Sequence, residues 1–207
     1  MLWLGREEVG KEEKEGFIEA LVKFKVGWDK FYGYRGYFLA AAGISEFKEC
    51  RPGDEIVRQI VTWAFGYFNK QKQDWRTFLY PIAEIAREVL KETDRKRPIY
   101  ALVELIRNSG DEYTRCVAAY SLGKLDKHNS VAIAALVELI RKSRPEDTVY
   151  DTADFLGEIM TGKHFATAVS GLKKCLTSEI YKNNFGRNEK CYGVIWNCAE
   201  NMTYPNF

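Results

Sequence analysis

Histidine is nearly missing from this chain, and several other features are missing with it. Only His128 and His164 occur among 207 residues. Neither has a second ligand at metal-site spacing, so no zinc or other metal site is expected. Cysteine occurs five times, as Cys50, Cys116, Cys175, Cys191 and Cys198. The number is odd and no two form a C-x-x-C, which suggests reduced, mostly buried thiols in a cytoplasmic protein. The start, Met1-Leu-Trp-Leu-Gly-Arg-Glu-Glu8, lacks the charged-then-apolar layout of a signal peptide. No apolar run approaches the roughly 20 residues of a membrane span. Without a secretory signal, the sequon Asn201-Met-Thr203 reads as chance. Charge of one sign is also lacking: 31 basic residues face 29 acidic ones, a net +2. A nucleic-acid or membrane-surface protein usually has a clearer basic excess. No G-x-x-x-x-G-K-[ST] phosphate loop occurs; Thr161-Gly-Lys-His164 is too short and lacks the hydroxyl after lysine. No stretch alternates apolar and polar residues for long, so no sheet is expected.

What is present is a repeat. Ala101-Leu-Val-Glu-Leu-Ile-Arg107 returns letter for letter as Ala135-Leu-Val-Glu-Leu-Ile-Arg141, and Leu122-Gly123 returns as Leu156-Gly157. A period of this length marks stacked helical pairs. Ile99, Leu102, Val103 and Ile106 fall at i, i+3, i+4, i+7, as do Ile133, Leu136, Val137 and Ile140. This is the buried stripe of an amphipathic helix, seen twice. These A helices are placed at about 95–108 and 130–142. The B helices follow at about 111–125 and 145–161. Their expected stripes are Thr114, Ala118, Leu122, Leu125 and Thr148, Thr152, Leu156, Ile159. Ser109-Gly-Asp-Glu112 and Ser143-Arg-Pro-Glu146 read as capping boxes opening them.

Divergent copies flank the pair. Glu12 to Val26 and Asp54 to Phe68 read as A-type helices; Phe31 to Phe47 and Phe78 to Lys91 read as their partners. Val169, Leu172 and Leu176 keep most of the A stripe. A last B helix is placed at about 187–202, with Tyr192, Ile195, Trp196 and Met202 as its bulky residues and Pro205 as its stop. The polar stretch from Thr177 to Arg187 reads as a longer connection. The expected fold is all-α, a right-handed α-α superhelix of about five helix pairs. It is a single repeat domain over 1–207, with divergent pairs at 1–93, two regular repeats at 94–161 and a capping repeat at 162–207.

The catalytic inventory is thin. Carboxylate pairs such as Asp151 with Asp154 and Glu12 with Glu13 read as solvated helix faces. No Ser-His-Asp or Cys-His arrangement can be assembled. His128 and His164 both fall where turns are expected. The protein is therefore not expected to be an enzyme, and no cofactor is expected. Aromatic residues crowd the N-terminal half, where core packing is the simplest reading. A contact surface is the alternative, since Trp and Tyr are favoured at hot spots. Trp28, Phe31, Tyr32 and Tyr34 are the candidates, on the expectation that they form a turn.

The block Asp111-Glu-Tyr-Thr-Arg-Cys-Val-Ala-Ala-Tyr-Ser-Leu-Gly-Lys-Leu125 resembles a HEAT repeat of the short variety found in phycobilisome lyases. In that family an acidic residue opening the B helix and a following arginine bond across repeats, which the resemblance assigns to Asp111 and Arg115. The second repeat carries Pro145 and Val149 at those places. The order of segments is similar to the C-terminal region of cyanobacterial NACHT-type NTPases. It is carried by Tyr34-Arg-Gly-Tyr-Phe-Leu-Ala-Ala41, Asp54-Glu-Ile-Val57, Gly66-Tyr-Phe-Asn69, Gln73-Asp-Trp75, the two Ala-Leu-Val-Glu-Leu-Ile blocks and Val194-Ile-Trp-Asn-Cys-Ala-Glu-Asn-Met-Thr-Tyr-Pro205.

The resemblance implies a protein-interaction or sensor module, with a protein partner that includes an upstream NTPase domain. The chain itself is then a fragment, or a relative that lacks the enzyme. It also implies that B helices line the concave face. The binding residues would then be Tyr113, Tyr120, Lys124, Tyr150, Asp154, Glu158, Asn197 and Glu200. Their mixed charge suits a protein better than a phosphate backbone. Two other classes remain open: a phycobilin lyase-like enzyme, which needs a bilin-sized groove, and a nucleic-acid binder like the HEAT-like alkylpurine DNA glycosylases.

Overall fold

A computed structural model describes residues 3–24, 31–176 and 185–202. Ten α-helices occur among these residues: α1 (Lys11–Val22), α2 (Phe31–Gly43), α3 (Gly53–Phe65), α4 (Tyr80–Glu92), α5 (Lys96–Asn108), α6 (Glu112–Leu125), α7 (Ser130–Lys142), α8 (Glu146–Ile159), α9 (Gly162–Leu172) and α10 (Phe185–Asn201). A 3-10 turn, Lys173–Leu176, closes α9. The fold is all-α, with helices packing in consecutive pairs as in a helical solenoid. The 34-residue period is exact at the helix ends, because α7 and α8 begin and end 34 residues after α5 and α6. The chain divides into two compact units, Met1–Ala101 and Leu102–Phe207.

In the first unit α1 packs on α2, α2 on α3 and α4, and α3 on α4. Helix α3 buries Ile56, Val57, Ile60, Val61, Ala64 and Phe65, and α4 buries Ala83, Ala86, Val89 and Leu90. Each set follows the helical period, so one stripe of each helix meets the other. Trp63 is held edge-on by Tyr34 and Tyr37, each at 4.8 Å between ring centres, and by Phe38 at 5.6 Å.

The expectation of no sheet is corrected here. Strands β1 (Tyr67–Asn69) and β2 (Asp74–Arg76) form an antiparallel hairpin, with Phe68 opposite Trp75. Three residues per strand are too few to register as alternation in sequence. The turn is built by Asn69, whose side-chain oxygen accepts from the backbone of Gln71 and Lys72, and by Gln73 at φ 52°. Gly66 ends α3 at φ 92°. A Cβ there would lie 2.7 Å from the Trp75 indole nitrogen, and that nitrogen donates to the Phe65 carbonyl at 2.9 Å.

In the second unit α7 packs on α6, α8 and α9, while α8 packs on both α6 and α10. The side chains of Leu102, Leu122, Leu136, Ile140, Leu156 and Leu172 are all but fully buried. Each such burial is worth about 1.5–3 kcal/mol. The B stripes fall where the period places them: Thr114, Ala118, Leu122 and Thr148, Thr152, Leu156, Ile159 are buried, and Leu125 is half-buried.

The serine capping boxes are corrected. Asp111 is the cap of α6, accepting from the Thr114 backbone N–H at 2.7 Å, while the Ser109 hydroxyl accepts from the Asp111 N–H. Pro145 stands at the cap of α8. Ser143, fully buried, donates to the Glu112 carboxylate instead. His164 is not in a turn but in the first turn of α9, where its Nδ1 accepts from the Thr161 N–H at 3.3 Å. Trp28, Pro205 and the connection from Thr177 to residue 184 lie outside the described residues.

Candidate interaction surface

The B helices of the second unit place the expected surface residues in two rungs. The first joins α6 to α8. Tyr120 stacks on Phe155 with ring centres 4.2 Å apart and planes 17° from parallel. Its hydroxyl donates to the Glu158 carboxylate at 2.5 Å. Lys124 pairs with the same carboxylate at 3.0 Å and lies 5.1 Å from the Tyr120 ring centre. These contacts hold Glu158 below the ordinary carboxylate range, the Tyr120 hydrogen bond first and Lys124 after it. Burial raises the Tyr120 hydroxyl, and Glu158 adds to this.

The second rung joins α8 to α10. Lys190 pairs with Asp154 at 3.3 Å and stands 4.6 Å over the Tyr150 ring. Beside it on α10, Tyr192 stacks on Trp196 with centres 5.9 Å apart. The Trp196 indole donates to Glu200 at 2.7 Å. Tyr113 and Asn197 are exposed without joining a rung.

The sequence marks Tyr192 and Trp196 only as bulky residues of the last helix. The structure leaves each 55% exposed. The buried face of α10 is instead Asn188, Cys191, Val194, Ile195 and Cys198. Spacing contained this signal. Those five residues follow the helical period, while Tyr192, Trp196 and Glu200 fall at i, i+4, i+8 on another face. Phe155 and Lys190 were missed because their roles exist only between helices.

The other aromatic candidates are placed differently. Phe31, Tyr32 and Tyr34 belong to the first turn of α2 rather than to a connecting turn, and Tyr34 packs against Trp63. Tyr32 is 48% exposed. Asp111 and Arg115 do not bond to each other's equivalents across repeats. Asp111 caps its own helix, and Arg115 reaches Glu138 of α7 at 3.5 Å. Pro145 and Val149 leave no partners for a ladder in the next repeat.

No group of three or more His, Cys, Asp or Glu side chains capable of holding a metal occurs among the described residues. No helix among them is long and apolar enough to cross a membrane. A groove of about 740 Å³ in the first unit is lined by Lys48, Asp54, Thr93, Asp94, Arg97 and neighbours. Its carboxylates are tied to Arg97, which leaves neither placed as an acid or base.

The fold and this surface thus describe an all-α stacked-helix protein with an aromatic and charged face on its B helices. Over residues 184–207 the chain is similar to the family described as NACHT C-terminal Cysteine and Histidine-containing. That stretch includes α10 with Cys191 and Cys198, and it contains no histidine. The similarity is to a C-terminal region of NACHT proteins and not to their NTPase module. No curated protein and no solved structure matches the chain.

Proposed function

We propose that this chain is a non-catalytic interaction or sensor module, the HEAT-like C-terminal part of a NACHT-type NTPase acting in signalling or defence. The face formed by α6, α8 and α10 engages a protein, and occupancy of that face alters the state of the NTPase. Support comes first from the similarity of residues 184–207 to a NACHT C-terminal family. The observation that carries the surface is the pair of rungs, in which Glu158 is matched by Lys124 and Asp154 by Lys190, while Glu200 accepts from the Trp196 indole. A face of stacked tyrosine and tryptophan with neutralised charges suits the aromatic-rich, charge-depleted centre of a protein interface. It lacks the rows of unpaired lysine and arginine that a phosphate backbone recruits.

The placement is tested by sequencing the gene outward from both ends. A G-x-x-x-x-G-K-[ST] loop upstream in the same frame is expected. A frame that holds no such loop overturns the placement.

A further inference from the structure

The groove of about 740 Å³ in the first unit holds charge that the fold itself does not use. Four basic side chains line it against two carboxylates, a surplus of two positive charges. Both carboxylates are engaged. Asp54 accepts from the Arg97 Nε at 2.7 Å and Asp94 from its Nη1 at 2.6 Å. Asp94 also accepts from the backbone N–H groups of Lys96 and Arg97. The last guanidinium nitrogen of Arg97 donates to the Lys48 carbonyl, so Arg97 is engaged too. The other three cations, Lys48, Arg95 and Lys96, are exposed. None of their side chains has an ion-pair partner among the described residues.

An exposed lysine without a partner is ordinary. A buried hydroxyl without one is not. Thr93 ends α4 beside these cations and lines the same groove. It is 5% exposed, and its Oγ1 has no hydrogen-bond partner. Leaving such a hydroxyl unpaired costs stability. The backbone adds to the sign of the site. The first turns of α3 and α5 both line the groove, through Asp54 and through Lys96 and Arg97. Helix α3 has no side-chain cap, and helix N-termini favour anions. What remains unpaired here is chiefly donors, so the groove suits an anion better than a cation.

We propose that this groove binds a phosphate monoester, with Lys48, Arg95 and Lys96 around its oxygens and the Thr93 hydroxyl as a further donor. Such a group carries about −1.5 to −2 charges at neutral pH and three strong acceptor oxygens. These match the surplus of two positive charges and the unpaired donors. Lysine meets the phosphate as a point charge, arginine through its planar fork. Small-molecule clefts run to about 300–1,000 Å³. A phosphate alone leaves most of this groove open, and the ester group occupies the rest. The groove lies in the first unit, so its ligand is separate from any partner of α6, α8 and α10.

The test titrates the whole chain with inorganic phosphate and with adenosine monophosphate, sodium chloride keeping the ionic strength constant. Each probe should bind saturably by calorimetry, the nucleotide more tightly. Arg95→Gln and Lys96→Gln should each weaken binding about fivefold or more. Both residues are exposed, so these variants keep the fold. Lys72→Gln, on the hairpin turn, should leave the affinity unchanged. Thr93→Val separates a ligand-binding hydroxyl from a merely unpaired one. It should weaken binding about fivefold, while the denaturation midpoint of the free protein stays equal or rises. Phosphatidylcholine vesicles carrying phosphatidic acid form a second arm. A chain that sediments with them and ignores the soluble probes takes its phosphate from a lipid headgroup; one that does the reverse takes a free ester. No response to any of the three probes, or affinity that the Arg95, Lys96 and Thr93 variants leave unchanged, overturns the proposal.

Discussion

The Tyr120 hydroxyl and the Glu158 carboxylate meet at 2.5 Å, fastening the outer face of α6 to that of α8. Lys124 shares the carboxylate, so one acidic residue of α8 holds two side chains of α6. Because Glu158 is about half exposed, the bond orders the surface more than it stabilises the fold. A double-mutant cycle of Tyr120→Phe and Glu158→Gln is expected to give a coupling of no more than about 1 kcal/mol by chemical denaturation. A coupling several times larger would make the rung a structural element instead.

Gly123 of α6 faces Ile159 of α8 so closely that a Cβ there would lie 3.1 Å from the Ile159 Cβ, with the Cδ1 closer still. Gly123→Ala should destabilise the protein by about 1–3 kcal/mol through overpacking, despite the better helix propensity of alanine. Adding Ile159→Val removes the nearest methyl and should recover part of the loss. Thermal melts of the three variants check this, and a double variant less stable than the sum of the singles would contradict it.

His164 gives the protein a pH dependence of definite sign. Burial, then Lys163 and His128, depress its pKa below the ordinary value of 6.5. Its Nδ1 must also stay unprotonated to accept from Thr161. The unfolded chain therefore takes up a proton first as pH falls below 6.5. The stability that His164 contributes is fully present above that pH and is lost as pH falls through the folded-state value. His164→Gln should flatten the denaturation midpoint against pH as pH falls below about 6.5. An unchanged slope would show that another group carries it.

Arg97 clamps the first unit. Its Nε donates to Asp54 at 2.7 Å, its Nη1 to Asp94 at 2.6 Å and its Nη2 to the Lys48 carbonyl at 3.0 Å. The Asp94 side chain is only 8% exposed, and it also caps α5 through the Lys96 N–H. Arg97→Ala should cost about 1–3 kcal/mol, less than a deeply buried pair because the guanidinium still reaches solvent. Arg97→Lys should restore little, since one ammonium cannot serve three directions. Denaturant midpoints of both variants read this out.

Helices in this chain are legible because their information is local and periodic. The letter-for-letter return of Ala-Leu-Val-Glu-Leu-Ile-Arg fixed both the A helices and the exact offset of the B helices. The hairpin was not legible, since its strands are short and its anchor is the contact of Trp75 with the Phe65 carbonyl, ten residues away. Capping serines were misplaced because Asp111 competes for the same backbone groups and lies closer to the helix. The candidate face was half legible. Tyr120, Lys124, Tyr150, Asp154 and Glu158 follow from the outward side of the B helices. Phe155 and Lys190 enter only through partners 35 and 36 residues or more away in sequence, which no single helix pattern contains.

If the proposed placement holds and an NTPase module is found upstream in the same frame, binding of this chain to that module is the most direct measurement. Isothermal titration of that module into this chain should show saturable binding. Trp196→Ala and Tyr120→Ala should each weaken it about tenfold or more, as truncated hot spots do, with melting temperatures close to wild type for Trp196→Ala. Equal affinity for wild type and both variants, or no binding at all, would contradict a partner-engaging face on α6, α8 and α10.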